Sequence, residues 1–251
     1  MRKYLIVILI ILWLIVLVPR LNKGLFLGKK AAPPQKIEVI QAAKNQDNSL
    51  NNALNLLKAR KDSAALAIFE EILKNKPDNV DALWGKAEVL RRNRNYQEAE
   101  SLLKQVLIKD PGHISALISL AYIQYKYDKF KESLNIVNRV LKSSNLSKEN
   151  QALAYMLLGT INSARSQKGW LLSKMKYGTN IKGYFLKAEG LAPDLPEVHM
   201  GLGAFYLLAP AIAGGNLEKA FQELKLAVKI APDFATANAR LAQAYKKKGD
   251  L

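Results

Sequence analysis

The sequence predicts an all-α fold, in which a solenoid of antiparallel helix pairs follows an apolar helix at the N-terminus. Three observations lead to this prediction. Residues 4–18 are an uncharged apolar run, the rest of the chain carries apolar residues at helical spacing, and four similar proline-containing turns recur along it. No segment shows a convincing strand pattern, so a sheet is not expected.

The first element, residues 1–18, is predicted to be a membrane anchor. Its fifteen apolar residues, 4–18, would form a helix roughly 22 Å long at ~1.5 Å per residue, which is short for a hydrocarbon core of roughly 30 Å. A cleaved signal peptide has an apolar region of similar length and is the alternative. High Ile/Leu content, Trp13 and the lack of an A-x-A-like cleavage site favour an uncleaved single-pass anchor in the cell membrane.

The orientation of that anchor depends on two competing rules. Basic residues follow the apolar run more often than they precede it, which would keep the rest of the chain in the cytoplasm. A short basic start such as Met1-Arg2-Lys3 is instead typical of a secretory signal, and long domains translocate largely regardless of charge. We therefore expect an extracytoplasmic domain, joined to the anchor by a Pro- and Gly-containing tether over residues 19–45.

Composition and charge restrict the chemistry. The net charge is +17; residues 1–45 hold eight Lys/Arg against one acid, and residues 46–251 hold 30 against 20. Both parts are basic, so the partner could be a phospholipid surface, an acidic protein face or nucleic acid, although a solvated Lys-rich surface would look the same. The chain has no Cys, which excludes disulfides, Cys-ligated zinc, iron–sulfur clusters and thiol catalysis.

Small residues mark a repeat in the remainder of the chain. Pro77 and Pro111 are 34 residues apart, and a small residue stands twelve positions before each of them and again twelve positions before that. Two helices joined by a short turn can approach closely only where the facing side chains are small. The small positions of the first three units are Ala53 and Ala65, Ala87 and Ala99, and Ala121 and Ser133.

With these marks, the chain resembles the tetratricopeptide repeat family, whose 34-residue helix–turn–helix unit has small residues at positions eight and twenty and Pro near position thirty-two. The resemblance covers residues 46–251 and implies a scaffold that binds a protein or peptide partner, without catalysis and without a cofactor. Further matches to the family pattern are Leu158-Gly159, Leu202-Gly203, Tyr206, Tyr245, Phe69 and Phe185. The units are placed near Gln46, Val80, Ile114, Gln151, Gly201 and Ala235.

Two units depart from the family spacing. The step from Gly159 to Ile181 is 22 residues instead of 12, and the step from Gly203 to Ala220 is 17. We expect the turn between the two helices to be lengthened in both units. The predicted insertions cover about 164–180 and 208–216.

The second insertion contains AGGN, residues 213–216, which invites comparison with a phosphate-binding glycine loop. It has neither the G-x-x-x-x-G-K-[ST] nor the G-x-G-x-x-G pattern. Pro210 is instead expected to end or bend the first helix, and Asn216 to cap the second. We therefore predict no cofactor site here.

Catalytic and metal sites are not predicted either. His113 and His199 have no His or Glu at metal-ligand spacing in the sequence, and lone histidines are more often structural or solvated. No pair of carboxylates is marked for acid–base work. The sequence therefore favours a protein without enzyme activity.

A partner-binding groove is predicted on the concave face, which the first helix of each unit lines in the family arrangement. Aromatic side chains beside Arg and Lys suit a peptide or an acidic partner, although packing between units is the alternative. The family's clamp for a terminal carboxylate is not matched. The predicted groove residues are Trp84, Glu88, Arg91, Tyr122, Tyr125 and Lys126.

A basic-aromatic patch within residues 165–187 is the second candidate for binding. No acid occurs between Glu149 and Glu189, so the segment could lie on an anionic membrane surface; nucleic acid is a less favoured partner, and a lengthened helix pair is the alternative. The patch comprises Arg165, Lys168, Trp170, Lys174, Lys176, Tyr177 and Lys182.

Overall fold

The computed structural model describes residues 35–168, 178 and 180–249, with side chains from residue 47. Residues 1–47 and 48–251 are separate compact units. The predicted anchor, 1–18, lies outside the described residues, and none of the helices that are described is long and apolar enough to cross a membrane.

Eleven α-helices and one 3₁₀ turn make up the part of the chain that is described, and no strand occurs in it. The helices are α1 (Gln35–Lys58), α2 (Asp62–Asn75), α3 (Val80–Arg92), α4 (Tyr96–Lys109), α5 (Ile114–Lys126), α6 (Phe130–Leu141), α7 (Lys148–Lys168), α8 (Ile181–Leu191), α9 (Pro196–Leu208), α10 (Leu217–Ile230) and α11 (Ala235–Lys248). Successive helices pack as pairs from α1/α2 to α9/α10, and α11 follows alone. The all-α array predicted from the sequence is confirmed.

Two boundaries differ from the sequence prediction. Helix α1 begins at Gln35, so the last part of the predicted tether is helical. The polar residues 45–49 lie inside this helix. Each of them costs less than about 0.7 kcal/mol in helix propensity, which is too little to break the helix. The fifth unit begins at Pro196 rather than near Gly201, because Pro is favoured in the first turn of a helix.

Packing within each pair follows the small positions. Every one of the small residues predicted in the first three units is fully buried. In the third unit, Ser133 Oγ donates a hydrogen bond of 2.6 Å to the carbonyl oxygen of Ala121, its partner position. Between the first and second pairs, the buried Gly85 of α3 lies so close to Phe69 of α2 that an added Cβ would overlap the ring. The helices therefore approach to distances that larger residues would prevent.

The turns within the first three pairs share one backbone conformation. Arg60, Arg94 and Asp128, spaced by 34 residues, have φ values of 63°, 65° and 61°. A left-handed residue is uncommon outside glycine, so its recurrence at the same position shows that the 34-residue register is maintained through three units.

The connection between α9 and α10 is longer and is built differently. Helix α9 ends at Leu208 because Pro210 cannot continue it, and a 3₁₀ turn follows at Ala211–Ala213. Gly214 adopts φ 94°, and the side chain of Asn216 accepts a hydrogen bond of 2.9 Å from the N–H of Lys219. The cap predicted for Asn216 is confirmed.

Candidate functional site

A central cleft of about 2210 Å³ is lined by described residues between Leu54 and Arg240. The first helix of every pair, from α1 to α9, contributes to its lining, as does α11. All six residues of the predicted groove line this cleft: Trp84, Glu88, Arg91, Tyr122, Tyr125 and Lys126. The structure therefore brings them together, on the neighbouring helices α3 and α5.

Glu88 lies at the centre of a hydrogen-bond network between α3 and α5. Arg91 donates two hydrogen bonds to its carboxylate, from Nε at 2.7 Å and from Nη2 at 2.5 Å. Arg92 Nε donates a third at 3.0 Å, and Ser119 Oγ a fourth at 2.8 Å. Trp84 Nε1 in turn donates to the Ser119 hydroxyl at 3.4 Å. Glu88 is only 7% exposed, so little of its surface is left to contact a partner.

Glu88 and Arg91 each keep the other in its charged form. Burial would raise the pKa of Glu88, but the positive charge and hydrogen bonds of Arg91 outweigh it and hold that pKa well below its usual range. Burial would likewise lower the pKa of Arg91, and the Glu88 carboxylate more than compensates and raises it. Glu88, which the sequence predicts to contact a partner, is also positioned to hold Arg91 in place.

Arg91 and Lys126 are arranged around two tyrosines at the cleft surface. The Arg91 guanidinium lies 4.4 Å from the ring centre of Tyr122, and Lys126 Nζ lies 6.0 Å from it. The ring of Tyr125 is 5.8 Å from that of Tyr122 and 5.7 Å from Lys126 Nζ. Cations over aromatic rings are held without losing their charge. This wall of the cleft therefore offers apolar area and positive charge together.

Arg60 connects the two ends of the array across the cleft. From the turn between α1 and α2, its guanidinium pairs with Glu197 of α9 and lies 4.0 Å from the ring centre of Phe234, just before α11. Burial lowers the pKa of Arg60, and Glu197 opposes this effect. Lys58 and Glu149 form a second bridge at 3.3 Å. We call the contacts of Arg60 with Glu197 and Phe234 the Arg60 clasp; the sequence did not predict it.

One acceptor in the cleft is unsatisfied. Glu197 pairs with Arg60 through Oε1, whereas Oε2 is buried and has no hydrogen-bond partner among the residues that are described. A buried unpaired oxygen is costly.

The basic-aromatic patch is only partly described. Lys168 Nζ pairs with Asp128 Oδ2 at 2.5 Å and lies 5.6 Å from the Phe130 ring. Lys182 Nζ lies 5.9 Å from the ring of Tyr206. Arg165, Lys168 and Lys182 are within the described residues, whereas Trp170, Lys174, Lys176 and Tyr177 lie outside them.

His113 has the structural role that its lone position suggested. Its Nδ1 accepts a hydrogen bond of 3.1 Å from the N–H of Ala116 and so caps α5. Its Nε2 is 3.4 Å from Asp81 Oδ1, and this hydrogen bond lowers the pKa of Asp81 despite partial burial.

His199 has carboxylate neighbours that the sequence spacing did not reveal. Glu189, His199 and Glu223 offer ligand atoms that all lie within 4.8 Å of one another. They belong to α8, α9 and α10, so only the packing of three helices brings them together. Among the residues described, this cluster is the place where a metal ion could be held.

Comparison with known proteins identifies the repeats. Two tetratricopeptide repeat families match the sequence, over residues 50–114 and 90–158. No curated protein matches the chain.

Solved structures share the fold at low sequence identity. A thermophilic TPR protein of Thermus thermophilus is 18% identical, with a TM-score of 0.57, covering 80% of this chain and 99% of that one. PilF of Pseudomonas aeruginosa is 18% identical with a TM-score of 0.51, covering 83% and 94%. A human IFIT1 dimer with m7Gppp-AAAA is 18% identical with a TM-score of 0.62; the match covers 82% of this chain but only 46% of IFIT1.

Proposed function

We propose that this chain, whose residues 50–158 match tetratricopeptide repeat families, is a membrane-tethered, non-catalytic scaffold that holds an extended segment of a partner protein in its central cleft. Repeats of this family indicate protein–protein interaction. The observation that carries the proposal is the cleft itself, whose volume of about 2210 Å³ exceeds the roughly 300–1,000 Å³ of small-molecule pockets. A peptide segment fits this space better than a metabolite does.

The chemistry of the wall suggests what that segment contains. Arg91 is held by Glu88 with its guanidinium beside Tyr122, so its position is fixed before a ligand arrives, and less entropy is lost on binding. Lys126 adds a second positive charge. An acidic side chain would form charge-assisted hydrogen bonds with these groups.

Site-specific photocrosslinking in membranes tests the cleft. A photoreactive amino acid is placed at Tyr125, which lines the cleft, and in a matched variant at Ile108, which is 80% exposed and does not line it. We expect a discrete crosslinked partner from Tyr125 and none from Ile108, and Trp84→Ala/Tyr122→Ala should abolish it. Equal crosslinking from both positions would contradict binding in the cleft.

The membrane tether and the side of the membrane form part of the proposal. The support is the apolar run of residues 4–18 after a short basic start. Protease added to spheroplasts should degrade an extracytoplasmic domain without lysis. A domain that is protected until the cells are lysed would place it in the cytoplasm.

An anionic polymer or lipid surface is the second candidate partner. The support is the basic-aromatic patch, the net charge of +17, and the fold shared with human IFIT1, which was solved with m7Gppp-AAAA. Binding of an anionic polymer weakens steeply with salt because counterions are released. Loss of binding in Lys174→Glu/Lys176→Glu with a steep salt dependence would favour this function, whereas weak salt dependence and loss in the cleft variant would favour a protein segment.

A further inference from the structure

Three consecutive helices direct metal-ligand groups to one point, and none of these groups belongs to the α3–α5 wall. Glu189 lies near the end of α8, His199 in the first half of α9, and Glu223 in the middle of α10. One ligand atom from each lies within 4.8 Å of the other two. No pair of them comes from the same helix, so the site exists only in the packed array.

The imidazole of His199 is oriented as in metal sites. Its Nε2 is 2.5 Å from the carbonyl oxygen of Pro193, and because a carbonyl can only accept, Nε2 carries a hydrogen. The other nitrogen, Nδ1, faces Glu223 Oε2 at 2.8 Å. Histidines that bind metals donate their second N–H to a carbonyl or carboxylate in this way. His199 is 4% exposed, so water does not compete for these contacts.

Either a proton or a metal ion must lie between Nδ1 of His199 and the carboxylate of Glu223. A nitrogen lone pair and a carboxylate oxygen 2.8 Å apart repel each other unless a proton or a metal ion lies between them. A proton gives an ordinary His–Glu ion pair. That ion pair would neutralise only one carboxylate and would leave Glu189 beside it.

The surrounding charges leave room for a divalent ion. Within residues 47–168 and 180–249, no Lys or Arg forms an ion pair with Glu189 or Glu223. The ammonium groups of Lys182 and Lys219 lie instead 5.9 Å and 5.8 Å from the ring of Tyr206. Among the residues that are described, neither carboxylate therefore has a lysine or arginine partner, although the protein as a whole is strongly basic.

We propose that Glu189, His199 and Glu223 form a binding site for a divalent transition-metal ion of the Zn²⁺ class. One imidazole nitrogen and two carboxylate oxygens form a ligand set suited to Zn²⁺ and its neighbours, whereas Ca²⁺ and Mg²⁺ prefer oxygen ligands alone. Water would complete the coordination. The ion would join α8 of the fourth unit to α9 and α10 of the fifth, the two units whose turns are lengthened.

The chain is well suited to a direct test, because it has two His and no Cys. The full-length protein, purified in detergent with a tag that contains no histidine, is stripped with a chelator and titrated with Zn²⁺ in competition with a coloured indicator. We expect one Zn²⁺ per chain and a higher melting temperature when Zn²⁺ is present. The same experiment with Mg²⁺ and Ca²⁺ should show much weaker binding.

Isosteric variants separate the metal site from an ordinary ion pair. Glu189→Gln and Glu223→Gln should each weaken Zn²⁺ binding by roughly 10–100-fold or more, since loss of an outer-shell partner alone has that effect. Glu218→Gln, an exposed residue in the first turn of α10, is the matched control, and His113→Gln is the control for His199→Gln. Circular dichroism of the stripped variants shows whether they are folded.

Three results would overturn the proposal. The first is no stoichiometric Zn²⁺ binding by the wild type, which would leave the cluster as a His–Glu ion pair. The second is equal binding by wild type and the Glu189→Gln/Glu223→Gln double variant when both are folded. The third is equal affinity for Mg²⁺ and Zn²⁺, which would contradict the assigned metal class.

Discussion

Replacing Glu88 by alanine should lower the free energy of unfolding by roughly 3 kcal/mol. Removing one member of a buried ion pair costs roughly 3–5 kcal/mol, because the other charge stays buried without a partner. The side chains of Glu88 and Arg91 are 9% and 16% exposed, so some water reaches the guanidinium. Arg92 keeps a second partner, Asp62, at 2.7 Å. Both features place the effect at the lower end of that range.

Thermal unfolding followed by circular dichroism measures this loss. For a chain of this size, 1 kcal/mol corresponds to roughly 2–4 °C, so the melting temperature should fall by roughly 6–12 °C. The control is Glu71→Ala, whose side chain is 64% exposed and pairs with Lys74 at 3.2 Å; it should change stability by less than about 0.5 kcal/mol.

A second variant distinguishes loss of the ion pair from simple loss of packing. Glu88→Met/Arg91→Met removes both charges and retains side-chain volume, so it should recover most of the stability lost in Glu88→Ala. A chain of this size shifts its melting temperature by roughly 2–4 °C for each 1 kcal/mol. If the melting temperatures of Glu88→Ala and Glu71→Ala therefore differ by less than about 2 °C, the network does not stabilise the α3–α5 contact and the reasoning fails.

Three further predictions concern the repeat units. Gly85→Ala should destabilise the fold by roughly 1–3 kcal/mol in thermal melts, because the new Cβ would overlap the fully buried Phe69 ring; an unchanged melting temperature would contradict the close approach. Arg94→Gly should stabilise the fold by about 1 kcal/mol in chemical denaturation, because glycine relieves the left-handed φ of 65°, and a loss of stability would count against this. The pKa of Glu88 is lower in the folded protein than its unfolded value of about 4.3, so the stability it contributes is complete above that pH and is lost as the pH falls towards the folded pKa. The melting temperature of the wild type should therefore fall more steeply than that of Glu88→Ala between about pH 5 and about pH 2. Parallel curves for the two proteins would refute the assignment.

The helix pairs could be predicted from sequence because their determinants are local and periodic. The small residues at Ala87 and Ala99 are required by the contact between two adjacent helices, and the same requirement recurs in each unit. The cap at Asn216 was equally accessible, since a side-chain acceptor and the N–H three residues later are close in sequence. The positions of the cleft residues on α3 and α5 could be predicted from the same 34-residue register.

Contacts that depend on the curvature of the array could not be predicted in this way. Arg60 and Glu197 are 137 residues apart, and no periodicity relates them. The cluster around His199 draws on three helices, one of which follows a lengthened turn whose register the family spacing does not give. The role of Glu88 was also missed, because the sequence shows its position on the helix but not that two arginines and a serine surround its carboxylate.

In the fifth unit, the lengthened turn occupies the position at which the first three units have a left-handed residue. This turn adds Pro210 and Ile212 to the cleft lining, and Ile212 is 99% exposed. A Cβ built on Gly214 of that turn would lie 3.8 Å from Lys182 Cδ, at the start of the helix that follows the other insertion. Because the close contact between Gly203 and Leu224 within the same pair is retained, the turn could be lengthened without disturbing the packing of the helices. The array can therefore keep its register while the edge of the cleft changes, and this edge is where we expect selectivity for the partner to be determined.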